Sequence, residues 1–370
     1  MIYLNIKFIY KFPFFLLLLS FIFSILSFNP LFSQTPSPLQ MLPTNPLGAS
    51  FRGLQVVNDR TIWVSGSKGV VGLTTDGGIS WKWQQVPGFE KRDFRDIAAF
   101  DSVTAIIMAV AEPAVILKTS NGGQTWKTVF ADTTSGMFLD AMHFIKPTTG
   151  IVVGDPINGK AFVAYTEDDG ENWSRLSNSD ANNRLSLDSG EAFFASSGAN
   201  IQLMDSKKPF SFFMVSGGQK SRLIGAGIPF NQEIPFTSLG STRGANAIAM
   251  KNKKKGVIVG GDFANDKLAF QTCWLVNTAN TNPFQAPVQT TSGYRSSVIW
   301  VNKKVLLACG TSGIDISLDE GNHWKNISNT GFHVAATRKK SKWIFLAGSN
   351  GRLARIPVAS LLESKINSPQ

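Results

Sequence analysis

Thr74-Thr75-Asp76-Gly77-Gly78-Ile79-Ser80-Trp81 is the stretch whose recurrence decides the fold. The same pattern returns as Thr119-Ser120-Asn121-Gly122-Gly123-Gln124-Thr125-Trp126 and as Thr166-Glu167-Asp168-Asp169-Gly170-Glu171-Asn172-Trp173. A fourth copy is Ser317-Leu318-Asp319-Glu320-Gly321-Asn322-His323-Trp324. Each copy has a hydroxyl residue, Asp or Asn two later, Gly two after that, and Trp three further on. The Asp or Asn side chain can accept backbone N–H bonds inside a tight turn, and Gly supplies the positive φ the turn needs. The Trp then covers the hairpin with a large apolar surface.

Working outward from these turns, a unit repeats at the 40–50 residues expected of a propeller blade. Its plan is an apolar inner strand, a polar turn, a second strand ending in Gly, another turn, a third strand, the repeated turn and a fourth strand. The first unit shows Leu54-Gln55-Val56-Val57, then Ile62-Trp63-Val64-Ser65-Gly66, then Val70-Val71-Gly72-Leu73. The second runs from Phe94 to about Phe130 and the third from Phe138 to about Leu176. Trp81 to Trp126 is 45 residues and Trp126 to Trp173 is 47, but Trp173 to Trp324 is 151, which holds two further units without the turn. These are Glu191 to about Ile224, with Phe212 to Gly218 as a strand, and Arg243 to about Val276. Tyr294 to about Ile327 and Phe332 onward complete the count. The chain is therefore expected to be all-β, a seven-bladed β-propeller of four-stranded antiparallel blades over residues 51–360.

The composition agrees. Charged residues are only 16% of the 370, while 33 Gly, 28 Phe and 9 Trp suit many short strands with tight turns. The N-terminus reads as a secretory signal over residues 1–33. Lys7 and Lys11 form a basic region, Phe14 to Phe28 an apolar run, and Leu31-Phe32-Ser33 a cut site. A retained anchor needs about 20 apolar residues, more than this run has, so export to the periplasm or outside with cleavage is expected. Residues 34–50, with Pro36, Pro38, Pro43 and Pro46, form a leader, and the segment Leu39–Leu47 is expected to close the ring as the outer strand of the last blade. Residues 361–370 read as a polar tail. Cys273 and Cys309 sit in apolar strands and read as buried thiols. Two Cys and three His share no ligand spacing, so neither a metal nor a cofactor is expected.

Aligned blades bring one position of each inner strand to one mouth of the channel. The starts read Phe51-Arg52, Phe94-Arg95, Phe138-Leu139, Gly190-Glu191, Thr242-Arg243, Tyr294-Arg295 and Phe332-His333. Arg52, Arg95, Arg243, Arg295 and His333 are thus candidate binding residues. The turns between second and third strands open on the same face and add Glu112, Asp155 and Asp262. Arg in such a mouth can stitch neighbouring blades through carboxylates or bind a carboxylate, phosphate or acidic peptide. The first turns open on the opposite face, as do the repeated turns. Those of the last three blades hold Lys251, Lys253, Lys254 and Lys255, then Lys303 and Lys304, then Arg338, Lys339, Lys340 and Lys342. This sector is either solvated hairpin tips or a contact for an anionic surface. Export disfavours nucleic acid, and a monomer is expected.

The repeated turn resembles the Asp-box, or bacterial neuraminidase repeat. With seven blades, an export signal and the Phe-Arg or Tyr-Arg starts, residues 50–360 resemble the photosystem II assembly and stability factors. That resemblance implies a non-enzymatic propeller that holds a membrane-protein precursor, with Arg52, Arg95, Arg243 and Arg295 as the matching arginines. It does not carry over the photosystem. The alternative resemblance is to sialidases and other Asp-box glycoside hydrolases, which need a Tyr nucleophile, a Glu partner and an acid. Phe51-Arg52 matches half of their first arginine motif, but Gly53-Leu54 stands where Ile-Pro is needed. Tyr294, Glu191 and Asp155 are the residues that could fill the catalytic roles.

Overall fold

The computed structural model describes residues 38–176, 185–208 and 210–363. The export signal expected over 1–33 and the tail beyond residue 363 lie outside them. The described residues form seven antiparallel sheets and one short helix, Val358–Glu363. The chain is a seven-bladed β-propeller. The first blade runs from the channel outward as Phe51–Val56, Ile62–Gly66, Val70–Thr74 and Lys82–Gln85. The second strand, Ile-Trp-Val-Ser-Gly, is buried at every residue, while the outer Lys-Trp-Gln-Gln is exposed at both ends and half-buried between them. Middle strands are packed on both faces by neighbouring blades, so they read as unbroken apolar runs. The core accordingly lies between blades: Trp63 and Val71 of the first pack with Phe94, Ile97 and Ile107 of the second.

The second blade is Phe94–Ala99, Ala105–Ala109, Ala114–Thr119 and Lys127–Asp132, and the third Leu139–Lys146, Thr149–Ile157, Lys160–Thr166 and Ser174–Arg175. The sixth is Ser297–Trp300, Leu306–Gly310, Gly313–Ser317 and Lys325–Ser328. In the seventh, Val334–Ala336, Trp343–Ala347 and Leu353–Pro357 are joined by Gln40–Met41 as the outermost strand. Gln40 pairs with Arg355 and Met41 with Ala354, and Leu42 N–H donates to Leu353 O at 2.9 Å. The chain's two ends thus share one sheet. Leu361 of the helix is buried in the core between the sixth and seventh blades.

The fourth blade departs from the expected Glu191–Ile224. Its sheet is Ile201–Leu203, Phe212–Val215, Arg222–Ala226 and Phe230–Glu233. Glu191–Ala192 pairs instead with Gly217–Gly218, and Gly217 in turn pairs with Gly244. This short ladder joins the fifth blade, Arg243–Met250, Lys255–Asp262, Cys273–Asn277 and Phe284–Gln285, in one six-stranded sheet. Only glycine permits the junction: Gly244 has φ +138°, and a Cβ there would lie 2.6 Å from the Gly217 Cα. The expected inner strand is interrupted because residues Phe193–Asn200 leave the sheet between its two halves.

All four repeated turns have one hydrogen-bond plan. The hydroxyl of Thr74 accepts from Gly78 N–H at 3.0 Å and donates to Asp76 Oδ1 at 2.8 Å, and Asp76 Oδ1 accepts from Ser80 N–H at 3.0 Å. Asn121, Asp168 and Asp319 hold Thr125, Asn172 and His323 in the same way. Three of the turns also bond to their own blade's first hairpin: Gly77 N–H to Arg60 O, Gly122 N–H to Val103 O and Glu320 N–H to Lys304 O, at 2.8–2.9 Å. They are therefore remote from the mouth.

Candidate functional site

A β-bulge aims a side chain out of the sheet at the mouth end of several inner strands. Phe51 pairs with Gly66 but Gly53 with Ser65, which leaves Arg52 unpaired. The same shift leaves out Arg95, Asp140 and Asn246 in the second, third and fifth blades. This register corrects the four-arginine alignment. Arg243 lies three residues before the fifth blade's bulge, because that inner strand extends further toward the mouth, where Arg243 pairs with Asp262. Arg295 precedes Ser296, whose N–H bonds Cys309 O, so it too is out of step with Arg52 and Arg95.

The segment Phe193–Asn200 fills the channel. Ala195 O accepts from Arg95 Nη1 at 3.4 Å, and Ser196 Oγ accepts from the Tyr294 hydroxyl at 3.1 Å. Ser197 Oγ donates to Ser296 O at 2.5 Å, and Ala199 O accepts from Ile248 N–H at 2.9 Å. Phe193 N–H reaches Asp155 Oδ1 at 3.0 Å. One segment of the fourth blade thus bonds to the second, third, fifth and sixth. It divides the channel into a mouth pocket of about 410 Å³ and a chamber of about 470 Å³ at the other end.

Arg52, Arg95, His333, Asp155 and Tyr294 line this pocket together with Phe138, Phe193, Phe194 and Phe263. Arg95 Nε pairs with Asp93 at 2.8 Å, and its guanidinium lies 5.7 Å from the Phe138 ring centroid. Arg52 donates to Ser50 Oγ at 3.1 Å and has no ion pair among the described residues. Burial, and then the neighbouring charge of Arg95, lower its pKa. His333 Nε2 sits 3.2 Å from the same Ser50 Oγ. Burial first, then Arg52, Arg95 and Arg352, push His333 down to about 4, so it is neutral at pH 7. Behind the pocket Asp140 is fully buried, and burial followed by Asp155 raises its pKa well above the carboxylate range. Burial raises Asp155 as well. What the pocket offers is a cationic pair that repel each other, set among aromatic walls.

The other expected residues stand elsewhere. Arg295 is fully buried and pairs with Asp315 at 2.7 Å, with further bonds to Tyr294 O and Ser312 Oγ. Arg243 donates to Phe270 O at 2.9 Å and lies 5.3 Å from the Phe270 ring centroid. Asp262 accepts from Thr242 Oγ1 at 2.8 Å, and Glu112 accepts from Gly136 N–H. Tyr294 and Asp155 do line the pocket, but Glu191 does not join them. Its side chain is fully buried in an ion pair with Arg222 at 2.6 Å and also accepts from Ser216 Oγ. The Tyr294 hydroxyl meets Asn246 Oδ1 at 2.9 Å, and burial pushes its pKa up to about 12. A nucleophilic tyrosine needs a carboxylate within hydrogen-bond reach to take its proton, and Glu191 is not there, so the Tyr294–Glu191–Asp155 trio is not assembled. Cys273 and Cys309 are free, buried thiols held up at about 12 by burial. No cluster of three metal-ligating side chains occurs among the described residues.

On the opposite face, Lys251 pairs with Glu320 at 3.0 Å and Lys253 with Asp205 at 3.3 Å. Lys254, Lys255, Lys303, Lys304, Lys339 and Lys340 are exposed. They lie on one side of the second chamber, whose lining includes Met250, Trp300 and Thr337 just before those turns. Sequence reasoning missed the Phe193–Asn200 segment. Its only signal was surplus length in a unit with no repeated turn, together with the run Phe193-Phe194-Ala195-Ser196-Ser197-Gly198.

The family model described as photosynthesis system II assembly factor YCF48 matches residues 39–135. Two solved structures of that factor share the fold. One, YCF48 bound to D1 peptide, has a TM-score of 0.61 at 16% identity over 87% of this chain and 95% of that one. The other, YCF48 from Cyanidioschyzon merolae, has a TM-score of 0.60 at 17% identity over 86% of this chain and 98% of that one. The WD40 propeller domain of Doa1 also reaches 0.60, at 11% identity over 86% and 97%. No curated protein matches the chain in sequence. The chain is a propeller similar to the photosystem II assembly factors, and at these identities the solved structures speak for the fold alone.

Proposed function

We propose that this chain is an exported, non-enzymatic scaffold whose mouth captures a carboxylate-bearing segment of an envelope or membrane protein. The observation that carries the reading is Arg52, half-buried in a concave pocket beside Arg95 with no carboxylate partner of its own. A guanidinium so placed is costly until an anion arrives, and a ligand carboxylate can take bidentate bonds from it. The likeness to the photosystem II assembly factor, one of whose solved structures holds a peptide, supports a protein partner. On this reading the protein works as a monomer, and the basic sector on the far face meets an anionic surface without taking part in capture.

The test uses a fluorescein-labelled Gly/Ser peptide ending in Asp-Asp as free acid, and its all-amide counterpart ending in Asn-Asn-NH2, followed by anisotropy at low salt. The acid should bind more tightly than the amide, and Arg52→Ala with Arg95→Ala should weaken it at least tenfold, as expected for hydrogen bonds to charged groups. Equal binding of acid and amide, or indifference to both arginines, would overturn the reading. Export is checked separately by the N-terminal mass of protein recovered from the envelope fraction, which should lack residues 1–33.

A further inference from the structure

We infer that the loop Phe263–Gln271, between the second and third strands of the fifth blade, is a second subsite that receives an apolar side chain next to the captured carboxylate. This inference rests on the reading of the mouth as a carboxylate site and names what else the partner segment must carry. The loop is long where its counterpart in the sixth blade is only Thr311-Ser312. It exposes Phe263, Leu268 and Phe270, at 43%, 38% and 48%. Ten large apolar side chains are exposed among the described residues, and three of them lie on these nine. Such concentration at the edge of a pocket marks an interaction surface.

The loop is held in place at many points. Phe263 N–H donates to Thr242 O at 3.1 Å, and Tyr294 N–H donates to Asp266 O at 2.9 Å. Thr311 and Ser312 donate to Asp266 from the sixth blade. Arg243 grips Phe270 through both carbonyl and ring, and Gln271 accepts from Thr237 N–H at 2.9 Å. The exposed side chains therefore stand on a preorganised backbone, which lowers the ordering cost of binding. The wall is also continuous with the pocket. Phe263 packs edge-on against Phe194 at 5.4 Å and against Tyr294 at 6.3 Å, and all three line the cavity that holds Arg52 and Arg95. A carboxylate on the arginines would put the neighbouring one or two residues of an extended segment, at about 3.3 Å each, over these rings. Arg243 and Arg295 then act as positioning residues: Arg243 fixes Phe270, and Arg295 fixes Ser312 beneath Asp266. The occupant is an extended acidic peptide with Leu or Phe beside the acid.

Two fluorescein-labelled probes separate this claim from the one it rests on. Both have a Gly/Ser body and a terminal Asp with free carboxylate, preceded in one by Leu and in the other by Gly. The Leu probe should bind wild-type protein about tenfold more tightly, in line with burial of one Leu side chain. Leu268→Ala with Phe270→Ser, both outside the pocket lining, should reduce that preference and leave the Gly probe unchanged; Phe263→Ala should weaken the Leu probe more than the Gly probe, and Arg52→Ala should weaken both probes alike. Equal affinities on wild-type protein, or an equal loss for both probes in Phe263→Ala, would overturn the subsite while leaving the carboxylate site standing. Binding of both probes that ignores Arg52 and Arg95 would overturn the two claims together.

Discussion

Replacing Arg295 by Met removes the guanidinium from a pair in which both side chains are fully buried. Asp315 would keep only the Ser292 N–H bond at 3.0 Å, and Tyr294 O and Ser312 Oγ would lose their donor. Stranding one member of a buried pair costs about 3–5 kcal/mol. At ~2 °C per kcal/mol for a domain of this size, the melting temperature should fall by on the order of 6–10 °C. The double variant Arg295→Met with Asp315→Leu should recover much of that, since an apolar pair needs no compensation. Arg52→Ala is the contrast. That side chain is half-buried and unpaired, and its removal ends a repulsion with Arg95, so the change should stay within about 1 kcal/mol. Melts followed by tryptophan fluorescence, with urea titrations for free energies, would measure all three. An Arg295→Met protein melting within about 2 °C of wild type, or Arg52→Ala falling as far as Arg295→Met, would refute the division into stitching and binding arginines.

Three further outcomes are expected. Burial holds the Asp96 carboxyl at about 7 and lowers His143 and His333 to about 4. The raised acid makes stability fall as pH rises from its unfolded value toward 7, whereas the lowered histidines make it fall as pH drops from 6.5 toward 4. These slopes oppose each other in mild acid, and only the carboxyl remains above 6.5. Asp96→Asn, whose single amide oxygen can keep only one of the Met142 and Ile97 N–H bonds, should therefore be less stable than wild type at pH 5 and should close that gap as pH rises to 8 in urea titrations. Deleting residues 34–47 removes the strand Gln40–Met41 and the buried Leu42, worth about 2–5 kcal/mol for that side chain alone; a sharp drop in calorimetric melting temperature should follow. Asp76→Ala loses the bonds to Ser80 and should cost about 1 kcal/mol, without changing probe affinity at the mouth.

The blade count was legible because it rests on local chemistry. Four turns with a hydroxyl residue, Asp or Asn, Gly and Trp, and second strands such as Val64-Ser65-Gly66 and Leu346-Ala347-Gly348, recur along the chain. The ring-closing pair is a topological consequence of circularity, and the sheet joins Gln40–Met41 to Leu353–Pro357. The mouth was legible only in part. Arg52 and Arg95 follow Phe at true bulges, but the Tyr-Arg of Tyr294-Arg295 and the Thr-Arg of Thr242-Arg243 imitate that spelling in strands with a different register. A bulge moves every later residue by one, and nothing in a single strand's sequence announces it. Glu191 likewise looked like a channel residue, yet the insertion after Ala192 turned its neighbourhood into a buried pair with Arg222. Long-range insertions of small and aromatic residues, as in Phe193–Asn200, have no period to betray them.

Amide hydrogen exchange with and without the Leu-Asp probe tests the central claim most directly. Binding at the mouth should slow exchange at 193–196, at the bulges around Arg52 and Arg95, and in the loop at 263–271. The lysine turns at 251–255, 303–304 and 338–342 should be unchanged. Protection confined to those turns, with the mouth untouched, would contradict the account.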